Sequence, residues 1–126
     1  MKKILFLFLF VPFFAWAQPN YNLVLQEIKK GNVQALVQYW DNMVDLTIGH
    51  TDYSNDAKHI QSLVDDFLTK NKPTHCSVVH TGAARDNTSF YVIGKLIAGG
   101  KNYRMYILFK ERNSKYVIQE LRFENA

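Results

Sequence analysis

Few residues in this chain have the types and spacing that chemistry requires. Asp56 and His59 are three positions apart, close enough on a helix to share a ligand, with His50 and Asp52 just upstream. No third ligand has a fixed spacing, so the cluster falls short of a metal site. His75 and His80 are an odd number of positions apart on what reads as a strand, so they should point to opposite faces and not chelate together. Asp65 and Asp66 are neighbours on a helix, about 100° apart, and cannot act as a carboxylate pair. Phosphate-binding, dinucleotide, nucleophile-elbow and zinc-protease motifs are absent from the sequence. No cofactor and no metal are expected.

The lone Cys76 has no partner for a disulfide and reads as a small buried hydrophobe. The polar residues assigned to inner-facing rows are His80, Gln119 and the hydroxyl of Tyr103. They read either as a satisfied core network or as the orienting groups of a pocket walled by Trp40, Phe67 and Met105. An enzyme reading would make His80 the general base and Tyr103 the hydrogen-bond donor. His80 has no predicted orienting carboxylate, so a non-catalytic role is preferred.

These residues must be held by elements that the hydrophobic pattern outlines. Lys2 and Lys3 precede an uncharged apolar run, Ile4 to Ala17, which ends in Ala15-Trp16-Ala17. That is the layout of a secretory signal cleaved after Ala17, too short for a membrane span. The expected protein is residues 18–126, a single periplasmic or secreted domain with no membrane attachment after cleavage. The full chain has 15 Lys+Arg against 11 Asp+Glu. Without Lys2 and Lys3 the balance is 13 against 11, a net charge of +2, which provides no strong field for nucleic acid.

Tyr21, Val24, Leu25 and Ile28 predict a first helix ending at Gly31. Val33, Leu36, Val37 and Trp40 predict a second, and Ala57, Ile60, Leu63, Val64, Phe67 and Leu68 a third, capped near Ser54 to Asp56. Met43 to Ile48 alternates as a strand, with 49–54 as a loop. Strands are then expected at 75–82, 89–98, 102–111 and 115–124, joined by turns into an antiparallel meander. The inner rows are read as Cys76, Val78 and His80; Phe90, Val92, Gly94, Leu96 and Ala98; Tyr103, Met105, Ile107 and Phe109; and Val117, Gln119, Leu121 and Phe123. The opposite face carries Tyr91, Ile93, Ile97, Tyr106, Leu108, Tyr116 and Ile118, with Lys95, Arg104, Lys110, Glu120 and Arg122 mixed among them. It reads either as a covered surface, such as a homodimer interface, or as tyrosines blanketed by Lys and Arg stems. The other partner envisaged is a small apolar ligand inside the fold.

The order of elements, with Gly31-Asn32 through Leu36, Tyr53-Ser54 through Phe67, Tyr103-Arg104-Met105-Tyr106 and Tyr116 through Arg122, resembles the nuclear-transport-factor-2-like superfamily, also called cystatin-like. More narrowly, it resembles a family of small exported Gram-negative bacterial proteins of unknown function. The resemblance implies an α+β domain, a curved antiparallel sheet wrapped as a cone on about three N-terminal helices. Enzymes of the superfamily place an acid, a base or a donor inside the cone. No motif of the ketosteroid-isomerase kind carries over to a position here.

Overall fold

The computed structural model describes residues 18–84, 86 and 88–126. The expected signal segment lies outside the described residues. Among those described, no helix is long and apolar enough to cross a membrane.

Helix α1 spans Tyr21–Lys30 and buries Val24, Leu25 and Ile28. It stops because Gly31 takes a left-handed conformation (φ 70°), which lets the Gly31 amide reach the Ile28 carbonyl and the Asn32 amide reach that of Glu27. The predicted second helix is only one 3-10 turn, Val33–Leu36. Val37 is exposed, and Trp40 already opens a strand. Helix α2 spans Ala57–Lys70, and the Asp56 carboxylate caps it by accepting the His59 amide at 2.9 Å. Among the described residues there are thus two α-helices rather than three.

The strands are β1 (Trp40–Ile48), β2 (Thr51–Asp56), β3 (Pro73–Ala83), β4 (Ser89–Ala98), β5 (Lys101–Arg112) and β6 (Lys115–Asn125). They form one sheet in the order β2-β1-β6-β5-β4-β3. The β3–β6 meander is antiparallel as expected, with left-handed Gly99-Gly100 and Asn113-Ser114 at its two-residue turns. Two features correct the expected topology. β1 pairs with β6 in parallel, so the sheet is mixed, and the expected loop 49–54 lies mostly in β2, an edge strand antiparallel to β1.

Bulges bend the sheet and re-aim side chains. In β3 the register shifts between Val78 and His80. In β6 two steps, Ile118 to Glu120, oppose one step of β5, leaving Gln119 as the extra residue. The inner face packs on both helices. Phe109, Phe123, Ile107, Leu121, Met105 and Leu96 are fully buried there beside Ile28, Ile60 and Val64. Phe67 of α2 meets Tyr103 edge-on at 5.3 Å and Phe123 at 4.9 Å, which ties the helix to the centre of the sheet.

Candidate functional site

The residues expected to line an interior pocket do not converge. Trp40, Tyr103 and Met105 are buried in the core. The indole N–H of Trp40 donates to Gln61 Oε1 at 2.9 Å. His80 is not in the inner row. Beyond the Val79 bulge its register partner is Ile93, an outer-face residue, and its Nε2 pairs with the Tyr91 hydroxyl at 3.2 Å. His80 and Tyr103 therefore lie on opposite faces of the sheet and cannot act together as base and donor. Gln119 is the bulged residue of β6 and lines a groove with Asp41, Asn42, Met43, Asp45 and Arg112.

The same two bulges correct two further expectations. His75 pairs with Ile97 and His80 with Ile93, so both histidines face outward instead of to opposite sides. Ile118 opposes Phe109 and is buried, and Tyr116 packs against the core. Neither therefore belongs to the outer apolar face. Asp41 is a buried carboxylate. It sits in β1 at 6% exposure, with Arg112 Nε donating to its Oδ2 at 2.9 Å and the Asn42 amide donating to Oδ1 at 2.8 Å.

Cys76 is half-buried, and loss of hydration pushes its thiol up to about 11 against the weaker pull of Lys29. A thiol so protonated is not a nucleophile at neutral pH. Among the described residues no group of three or more His, Cys, Asp or Glu is placed to hold a metal ion.

The outer face holds the more organised arrangement. Residues in register across it form rows. One row reads Asp45, Glu120, Leu108, Tyr91 from β1 to β4, and the next reads Thr47, Arg122, Tyr106, Ile93. Tyr91 stacks beside Tyr106, with ring centres 6.4 Å apart and 18° between planes. The Arg122 guanidinium lies 5.8 Å from the Tyr106 ring centre. Arg122 also pairs with Glu120 and, at 3.4 Å, with Glu124. Removal from water holds the Tyr106 phenol above its ordinary value, and the Glu120 carboxylate adds to that.

Beside this patch, toward β1 and β2, runs an open groove of about 660 Å³. Its carboxylates are Asp45, Asp52, Glu120 and Glu124. Hydroxyls donate to two of them, Ser54 to Asp45 at 2.8 Å and Thr47 to Asp52 at 2.7 Å. The patch residues Tyr91, Ile93, Tyr106 and Leu108 were legible as one alternating face. The polar strand β2, which completes the groove, was not.

Comparison with known proteins gives a family and a fold. Residues 21–124 match the model of DUF4783, a domain of unknown function, and the chain belongs to that family. A DUF4783 protein from Bacteroides uniformis, solved as a crystal structure, is 31% identical with a TM-score of 0.76, covering 82% of this chain and 94% of that one. A Caulobacter vibrioides protein described as having a cystatin-like fold shares 8% identity and a TM-score of 0.68, over 84% of each chain. A de novo designed protein with a curved β-sheet shares 14% identity and a TM-score of 0.59, over 84% and 81% of the two chains. The latter two likenesses concern fold alone. No curated protein matches.

Proposed function

We propose that this DUF4783 domain is an exported, non-catalytic interaction module that pairs with a second copy of itself through the outer face of its sheet. The observation that carries the reading is the block formed by Tyr91, Ile93, Tyr106 and Leu108. These four side chains are in register on the adjacent strands β4 and β5, on the face opposite both helices. Apolar groups gathered on one face, flanked by charges, have the composition of an association surface. Trp40, Tyr103 and Met105 line none of the three surface grooves near this face, which favours the surface over an interior pocket. Export is supported by Lys2-Lys3, the apolar run and Ala15-Trp16-Ala17.

Sedimentation equilibrium of residues 18–126 is the test. Dimers should form at micromolar concentration, and an Ile93→Lys/Leu108→Lys variant should be monomeric with an unchanged far-UV spectrum. A wild-type chain that stays monomeric at millimolar concentration overturns the reading.

A further inference from the structure

The pattern of the outer face also specifies how two copies would meet, an inference that rests on the pairing proposed above. Side chains of face-to-face sheets must be exchanged by a two-fold axis lying between the sheets. Three placements of that axis are distinguishable by the charges they bring together.

An axis along the strands, between β5 and β6, sets Glu120 over the partner's Leu108 and Arg122 over the partner's Tyr106. The Glu120 carboxylate would then lose water against an aliphatic side chain, the costly arrangement. An axis along the strands between β4 and β5 sets Arg104 over the partner's Lys95, two like charges, and Arg122 over the partner's His80, leaving Glu120 over the partner's Gly82 with no cation to meet. The third axis runs across the strands, midway between the two rows. It sets Leu108 on the partner's Tyr106, Tyr91 on the partner's Ile93, and Glu120 on the partner's Arg122.

We infer that the domain dimerises about this third axis, with Glu120 and Arg122 of the two copies forming a square of four alternating charges along the β6 side of the aromatic block. Within these two rows each apolar group then meets an apolar group and Glu120 meets Arg122, while Arg104 falls opposite the partner's Lys110 at the outer ends, where sheet twist separates the faces. Glu120 and Arg122 are already paired within one copy, which holds both side chains in place at the block's edge. The sheet is large enough for this. Six strands about 4.8 Å apart, with outward rows about 7 Å apart, make a face of roughly 600 Å² before side-chain relief, of the order of the ~800 Å² per partner that a stable interface buries. Sheet twist keeps the match closest at the centre, where these six residues lie.

A charge-pairing experiment on the mature chain tests the axis. Glu120→Arg places two cations against two cations in a self-pair, and Arg122→Glu places two anions against two anions. Each variant alone should dimerise at least tenfold more weakly than wild type. Mixed in equal amounts, they should form a heterodimer within a few-fold of wild-type affinity, because each position then faces its opposite. In a Cys76→Ser background, a Leu108→Cys chain and a Tyr106→Cys chain should oxidise to the mixed dimer in preference to either self-dimer, which checks the axis without altering charge. Single charge variants that pair as tightly as wild type, or a mixture that forms no heterodimer, overturn the axis while leaving pairing through this face intact. A monomeric wild-type chain overturns both.

Discussion

Tyr91 lies directly across Gly82. A Cβ on that glycine would sit 2.5 Å from the Tyr91 hydroxyl oxygen and 2.6 Å from Cζ, so the ring covers its cross-strand neighbour and reaches His80. Gly94 has a different obstacle. A Cβ there would lie 2.8 Å from the Ser77 carbonyl oxygen and 2.9 Å from Met105 Cε. A phenol can swing away, whereas a carbonyl of β3 cannot. Gly82→Ala should therefore cost about 1 kcal/mol and Gly94→Ala up to about 3 kcal/mol, as for other overpacked sites. Urea midpoints of the two variants check the order, and equal losses would contradict it.

Asp41 and Arg112 form a cross-sheet pair in which only the acid is buried. Arg112→Ala leaves that carboxylate with the Asn42 amide alone, and destabilisation by about 2 kcal/mol is expected. Removing the charge as well, in Asp41→Asn/Arg112→Ala, should recover part of the loss. A double-mutant cycle in urea measures the coupling, and a coupling near zero would show the pair to be incidental.

The raised thiol of Cys76 gives two readings. At pH 8 its thiolate fraction is about a hundredfold below that of a thiol at 9.0, so alkylation of the native protein should be about a hundredfold slower than in urea. The native state holds the thiol proton more tightly than the unfolded chain does. This contribution to stability is therefore complete below pH 9 and is lost as pH rises from 9 through 11. Cys76→Ser should flatten that decline in a pH series of melting temperatures.

Tyr103 and Met105 separate core packing from catalysis. Tyr103→Phe keeps the edge-on contact with Phe67 and should change stability by less than about 1 kcal/mol. Met105→Ala empties a fully buried site and should cost about 2–5 kcal/mol. A Tyr103→Phe variant that folds normally but loses a measurable turnover would reinstate the enzyme reading.

The strands of the meander were legible because Phe90, Val92, Leu96 and Tyr103, Met105, Ile107, Phe109 alternate without interruption. Faces became illegible at the bulges. One extra residue near Val79 and another at Gln119 invert the alternation on one side of each, so His80, Gln119, Tyr116 and Ile118 were assigned to the wrong faces. Strand β2 escaped notice because Thr51-Asp52-Tyr53-Ser54-Asn55-Asp56 has the composition of a turn, and pairing with β1 makes it a strand. Val33 to Trp40 carries helical periodicity, yet Trp40 gains more as the first residue of β1, where it pairs with Ile118. The acidic groove depends on β2 and on the parallel union of β1 with β6, and neither leaves a mark in local sequence.

That parallel union also constrains when the domain can form. β6 follows every other strand in the chain, yet it sits between β1 and β5 in the middle of the sheet. Until it emerges, the hairpin β1–β2 and the three strands β3–β5 share no ladder of backbone hydrogen bonds. The sheet is thus completed only by a pairing of long sequence separation, β1 with β6. Whatever order the pieces form in, closing the sheet waits for the strand made after all the others.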